Sequence, residues 1–203
     1  MRGFHYCLIG LDLAGKSSRP SGICLWWGKE VRTFVLYTDN EIIRLVKIFQ
    51  PDIVAIDAPL SYPRDYQNSG VQAVPAWREC DLALRRKNIR LFPLNFNSMR
   101  ELTKRGVALK TIMEKQGFKV IEVYPGGAQD ILGLPRARKN RKALYEGLRK
   151  LGLEGLSSDC SVHELDAATA ALVGMFYLKG EAKVYGDPTE GTIIMPPEAT
   201  NLN

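Results

Sequence analysis

Asp52-Ile53-Val54-Ala55-Ile56-Asp57, followed by Ala58-Pro59, is a short apolar run with an acid at each end. A run of this length and β-branched content, closed by a turn signal, reads as a strand buried on both faces. Just before it, Asp39 or Asn40 is placed to cap a helix over 41–49. There Ile42, Ile43, Leu45, Val46 and Phe49 make an apolar stripe, and Pro51 stops the helix. Further upstream, residues 5–13 (His-Tyr-Cys-Leu-Ile-Gly-Leu-Asp-Leu) form another apolar run, read as the first strand. Ser21 to Trp27 is the second strand, Gly28-Lys29 a tight turn signal, and Val31 to Thr38 an alternating third strand. A crossover helix that returns to the same sheet sets 52–57 parallel to an earlier strand. Its natural neighbour is 5–13, because both runs look central.

Downstream, residues 60–118 break the rhythm with Pro63, Pro75 and Pro93 and two helical segments, about 76–87 and 98–116. Val120 to Tyr124 is a fifth strand, followed by Pro125-Gly126-Gly127. Short helices are expected at 128–133 and 139–151. A strong one runs from about 162 to 178, starting in the capping-box pattern Ser161-Val162-His163-Glu164. The tail holds a short strand-like Thr192-Ile193-Ile194-Met195. The pattern predicts an α/β chain with a mixed five-stranded sheet flanked by helices. One domain would span 1–203, with a helical insertion at about 60–118 between the fourth and fifth strands.

The chain has 203 residues, 45% hydrophobic and 25% charged, an ordinary globular composition long enough for one core. No apolar run approaches the roughly 20 residues that span a bilayer, and the start lacks a signal peptide's apolar region. The expected location is cytoplasmic, with no membrane partner. Four cysteines without a CxxC pair read as buried reduced thiols, and two histidines argue against zinc. Net charge is +6, unevenly spread. Residues 64–119 hold 12 Lys+Arg against five Asp+Glu, and residues 136–150 hold seven against one. These segments are either solvated helix faces or a surface for a polyanion. In the second case Arg85, Arg86 and Arg105 would belong to the phosphate-binding face.

Gly10-Leu11-Asp12-Leu13-Ala14-Gly15-Lys16-Ser17 matches the phosphate-loop pattern GxxxxGK[ST]. That loop must lead into a helix whose N-terminus holds phosphate. Here Ser18-Arg19-Pro20-Ser21-Gly22 and a strand follow. A helix through Pro20 would lose about 3 kcal/mol. A P-loop-like NTPase is therefore a minor alternative. Lys16 and Ser17 remain either polar turn residues or contacts to a phosphate.

Asp12 ends the first strand and Asp57 the fourth, so adjacent parallel strands would set their carboxylates side by side. Like charges that close repel unless a cation intervenes. Asp166 adds a third acid, on a face of the last helix shared with His163, Ala167, Ala170 and Gly174. The small residues let that helix approach the sheet. A buried Asp needs a partner, and a metal ion shared by Asp12, Asp57 and Asp166 supplies one. The bland reading of Asp166 is dipole stabilisation near a helix N-terminus. Glu164 fits its capping role. His163 either orients a carboxylate, carries a proton, or is a core histidine. Glu122, interrupting the fifth strand, is either a fourth site acid or the partner of an arginine.

Taken together, Gly10-Leu11-Asp12-Leu13-Ala14-Gly15-Lys16, Ile56-Asp57-Ala58-Pro59-Leu60, Arg78-Glu79-Cys80-Asp81, Glu122-Val123-Tyr124-Pro125 and His163-Glu164-Leu165-Asp166-Ala167 resemble domain-of-unknown-function family four-two-nine. Its members are predicted nucleases of RNase H-like fold. More distantly, the pattern is similar to RuvC-type resolvases, in which acids on the first and fourth strands and the final helix bind magnesium. The resemblance implies those roles for Asp12, Asp57 and Asp166. That group often carries a second acid near the position of His163; this chain has histidine there. The expectation is a nuclease dependent on Mg²⁺ or Mn²⁺ and acting on DNA or RNA, with Lys16, Ser17 and Arg78 contacting substrate and Glu122 and His163 completing the site. Alternatives are a catalytically inactive nucleic-acid-binding module of the same fold, or an ATP/GTP-binding phosphotransferase of the actin-like superfamily, which needs two such domains.

Overall fold

The computed structural model describes residues 6–69 and 75–198. His5, at the start of the predicted first strand, lies outside the described residues, as do 70–74. An antiparallel meander opens the chain: β1 (Cys7–Asp12), β2 (Ser21–Trp27) and β3 (Glu30–Leu36). Helix α1 (Asp39–Phe49) crosses over, and β4 (Ile53–Asp57) lies parallel to β1, as the two apolar runs predict. The cap of α1 is Thr38, one residue earlier than expected; its Oγ1 accepts from Glu41 N at 3.3 Å while Glu41 Oε2 accepts from Thr38 N at 2.8 Å.

Three helices, α2 (Arg64–Ser69), α3 (Glu79–Arg86) and α4 (Asn97–Glu114), lie between β4 and β5 (Val120–Val123). Then come α5 (Pro125–Ile131), α6 (Arg141–Lys150), α7 (Val162–Leu178), β6 (Lys183–Asp187) and β7 (Gly191–Met195). The sheet has seven strands in the order β3-β2-β1-β4-β5-β7-β6, not the expected five. The tail adds the last two: β7 runs parallel to β5 and antiparallel to β6. β6 escapes a sequence reading because it is short and mostly exposed, so no hydrophobic period marks it. Among the described residues no helix is long and apolar enough to cross a membrane.

Strand alternation divides the core into two layers. Leu8, Cys24, Ile53 and Ala55 face α5, α6 and α7, whereas Ile9, Leu11, Ile23, Val54 and Ile56 face α1 and α4. Lys16 and Ser17 are exposed in the β1–β2 turn, and β2 begins at Ser21. No helix follows the GKS run, so the phosphate-loop alternative is overturned. Arg105 is likewise not a free surface charge: it is 7% exposed, with Nε donating to Asp39 Oδ1 and Nη1 and Nη2 to the Ala14 and Tyr37 carbonyls, each at 2.7 Å. It ties α4 to the ends of β1 and β3, which removes it from any phosphate-binding face.

α7 rests on the sheet with backbone against backbone. A Cβ on Gly10 would overlap the Ala167 carbonyl oxygen, and one on Gly22 the His163 carbonyl oxygen. Gly174, by contrast, has its nearest neighbours at 3.4 Å, ordinary contact. Gly10→Ala and Gly22→Ala should each destabilise the protein by at least the ~1–3 kcal/mol typical of overpacking, since a backbone carbonyl cannot rotate away. Gly174→Ala should be neutral or stabilising, because alanine is the better helix former. Urea midpoints of the three variants check this; equal midpoints would refute the close seating.

Candidate active site

Asp12 and Asp57 are Cα partners across the β1–β4 ladder, at the C-terminal ends of two central strands. α7 crosses above them. Ser161 caps it, Oγ accepting from Glu164 N at 3.3 Å while Glu164 Oε2 accepts from Ser161 N at 2.9 Å, so Glu164 is spent on the cap. The first two turns then present His163 and Asp166 to the sheet. His163 Nδ1 lies 2.6 Å from Asp12 Oδ2. Asp166 Oδ1 accepts from Gln129 Nε2 of α5 at 2.8 Å. Gln129 also donates to Thr169 Oγ1 at 3.1 Å, while its Oε1 is buried without a partner.

Asp57 accepts no hydrogen bond among the described residues. Burial, and then the carboxylates of Asp12, Asp166 and Glu122, push its pKa well above the ordinary aspartate value. Burial also pushes Asp166 up to about 6, with Asp12 adding to the effect and the Gln129 hydrogen bond opposing it. His163 is raised chiefly by its hydrogen bond to Asp12. The group thus lacks positive charge and hydrogen-bond donors around Asp57. These side chains line one cavity of about 320 Å³, with Arg138 and Phe92 also in its wall.

Glu122 reaches the same cavity from the other face of the sheet. It pairs in register with Ile56, so alternation points it to the α4 face, opposite to Asp57. There it is 7% exposed and bound to Arg78, itself only 1% exposed. Arg78 Nη1 donates to Glu122 Oε2 at 2.7 Å and Ser61 Oγ at 3.0 Å. Nη2 donates to Glu122 Oε1 at 2.6 Å and Asp81 Oδ1 at 2.9 Å, and Nε to Asp81 Oδ2 at 3.1 Å. All five guanidinium N–H groups are used, so Arg78 has none left for a phosphate. Of the two readings of Glu122, the structure gives the arginine partner. Lys16 and Ser17 stand on the turn after Asp12, outside the cavity wall. Nearby, Glu190 uses one oxygen each for the first backbone amides of α2 and α3, Arg64 N at 2.8 Å and Glu79 N at 2.6 Å.

Sequence reasoning missed Gln129, Arg138 and Phe92. Arg138 lay inside the basic 136–150 segment, but nothing marked it from its neighbours; the other two had no local signal. Among the described residues no group of three or more His, Cys, Asp and Glu side chains stands ready to hold an ion. Asp12 is turned to His163 and Asp166 to Gln129. The donors themselves are hard carboxylate oxygens, the set that suits Mg²⁺ or Mn²⁺ rather than softer metals. A half-buried Asp57 that accepts no hydrogen bond among the described residues, beside two further acids, is what such a cation would compensate.

Two predictions follow from these charges. A carboxyl with a raised folded pKa binds its proton more tightly when folded, so its stability contribution is lost as pH rises. For Asp166 the loss runs from the ordinary 3.8 to about 6, and the raised Asp57 adds a loss in the same direction. Protonated His163 adds a contribution lost as pH rises above 6.5. In EDTA, urea titrations of Asp57→Asn/Asp166→Asn should therefore show the variant gaining on wild type between pH 5 and pH 7.5; a constant difference would refute it. Second, Arg78→Met should cost about 3–5 kcal/mol at neutral pH, as breaking a buried ion pair does. That deficit should shrink in acid, where Glu122, its pKa raised by burial, takes a proton; a pH-independent deficit would mean lost packing alone.

Among solved structures, the chain matches Thermus thermophilus RuvC in complex with a Holliday junction substrate with a TM-score of 0.53 and 13% identity, covering 86% of this chain and 96% of that one. A second Thermus thermophilus RuvC structure gives a TM-score of 0.51 at 13% identity and the same coverage. At this identity the likeness is one of fold, the RNase H-like α/β architecture. No curated protein matches the sequence. The model of the family described as "Protein of unknown function (DUF429)" matches residues 10–190, a span that includes Asp12, Asp57, Glu122, His163 and Asp166. The chain belongs to this family of proteins of unknown function, DUF429.

Proposed function

We propose that this protein is a metal-dependent phosphodiesterase acting on nucleic acid, with Asp12, Asp57 and Asp166 as holders of Mg²⁺ or Mn²⁺. The observation that carries the reading is the half-buried Asp57 carboxylate, which no described residue donates to, beside Asp12 and Asp166 in one cleft, at the C-terminal ends of two central parallel strands. A bound divalent cation would activate water and neutralise charge on the leaving oxygen. The chain's own residues do the positioning. Asp12 would turn from His163 toward the cation, while Gln129 fixes the rotamer of Asp166. His163, kept protonated to higher pH by Asp12, is the group suited to give a proton to a leaving oxygen. Arg138, exposed in the cavity wall, would contact a phosphate without reading sequence, and Lys16 and Ser17 would extend that contact along the β1–β2 turn. Glu122 and Arg78 act at one remove, bracing the strand end next to Asp57. The net charge of +6, concentrated in 64–119 and 136–150, supports a polyanionic partner.

A rival reading, a nucleic-acid-binding module of the same fold without catalysis, is favoured by the engagement of Asp12 with His163. One set of experiments separates the two. Mg²⁺ or Mn²⁺ should raise the melting temperature of wild type, by an amount equivalent to about 2.7 kcal/mol at a hundred times Kd. Asp57→Asn should weaken that shift and, without metal, should leave stability unchanged or higher. Wild type should cleave at least one of labelled single-stranded, duplex or branched DNA or RNA when metal is present. Asp12→Asn should abolish cleavage and spare binding. No cleavage by folded wild type favours the binding module; cleavage that survives Asp12→Asn places the chemistry elsewhere.

A further inference from the structure

Phe92 is 69% exposed, yet it lines the same cavity as Asp12, Asp57 and Asp166. Its position is held on both sides. Tyr124 Oη donates to the Arg90 carbonyl at 2.7 Å, and Leu94 N donates to the Ala76 carbonyl at 2.9 Å. The Leu94 side chain is 2% exposed and anchors the loop. The fold therefore fixes the backbone around a phenyl ring that it does not bury. Apolar area left in water forgoes about 25 cal/mol per Å², so the ring does nothing for the core. Leu91, Leu94, Met99 and Leu102 extend the apolar wall behind it.

On the far side of Leu91 lies a second cavity of about 480 Å³, lined also by Arg85, Asn88 and Arg90. Both arginines are exposed, and the Arg85 guanidinium is stacked 4.1 Å from the centroid of the Trp77 ring. An acidic cluster, an exposed aromatic ring on an anchored backbone and a pair of exposed arginines therefore line two cavities that share Leu91. The phosphodiester chain suits that arrangement. Phosphates meet the arginines, a base meets the ring, and the next phosphate meets the carboxylate cluster. A cleft of about 320 Å³ is at the small end of ligand sites, room for one nucleotide unit and not for a duplex.

We propose that Phe92 is a stacking platform for an unpaired base, with Arg85 and Arg90 receiving the adjoining phosphates, so that the site takes single-stranded nucleic acid. This rests on the phosphodiesterase reading above. A base within a duplex has both faces covered, whereas an unpaired base gains about 1–3 kcal/mol from an aromatic partner.

The test is binding of a single-stranded oligonucleotide carrying 2-aminopurine, in EDTA so that cleavage does not intervene. Wild type should bind it at least tenfold more tightly than the matching blunt duplex and quench the fluorophore. Phe92→Ala should raise Kd by about 5- to 150-fold, the equivalent of that stacking energy, and abolish the quench. Its melting temperature should stay that of wild type, because the ring is exposed. Phe92→Trp should keep the binding. Arg90→Gln should lower the log–log salt slope by about 0.7. Duplex bound as tightly as single strand, or Phe92→Ala bound like wild type, overturns the platform and leaves the phosphodiesterase reading standing. No binding of any nucleic acid by wild type overturns both.

Discussion

The contact on which the site depends is that of the α7 backbone with two glycines. Gly10 and Gly22 sit where any Cβ would strike a carbonyl of α7, and the helix answers with Ala167 and Ala171 at the crossing. The helix therefore lies closer to β1 and β2 than side-chain interdigitation would allow. Its N-terminal turns then carry His163 and Asp166 down to Asp12 without long side chains. Short acids are stiff, and a hydrogen bond of 2.6 Å between His163 and Asp12 needs the two backbones to be close. Function at the rim is thus a result of smallness in the core.

Charge is handled differently on the two faces of the strand ends. On the α4 face, Glu122 and Asp81 share one guanidinium whose every donor is used. There both carboxylates are paired with the same cation and hydrogen-bonded from within, the condition under which buried ions are tolerated. On the α7 face, three acids meet one histidine and one amide. Arg138, exposed and at the edge, adds positive charge there beside His163. The two adjacent clusters of carboxylates thus differ in their partners: one uses every donor of a guanidinium, while in the other Asp57 accepts no hydrogen bond among the described residues. The Arg78 cluster also joins the segment after β4, the start of α3 and β5, which holds the wall of the cleft against the strand that carries Asp57.

The central ladder was legible in the sequence because two apolar runs of strand length admit few other partners. The pairing of Asp12 with Asp57 follows from that ladder alone. The capping box and the small face of α7 were equally plain, since caps and close packing leave local residue signatures. What stayed hidden depends on distant contacts. Arg78 and Arg105 read as surface charges because nothing local shows that Glu122, Asp39 and two carbonyls will enclose them. Gln129 gave no signal, since an amide buried against Asp166 looks like any glutamine on a short helix. β6 hid because an edge strand needs only one buried face. Phe92 read as one more apolar residue in a Pro-broken stretch, and only the cavity brings it together with the acids.

Glu190 has a role beyond geometry when the chain is considered in the order of its synthesis. One carboxylate near the C-terminal end holds the first amides of both α2 and α3, while Asp166 arrives on the helix before it. A polypeptide leaving the ribosome N-terminal end first can form the meander, the crossover and β4 early, with Asp12 and Asp57 already side by side. The third acid and the clasp on the cleft's flanking helices both come late. Until then the nascent chain displays two repelling carboxylates and an unlatched wall, which is no assembled site.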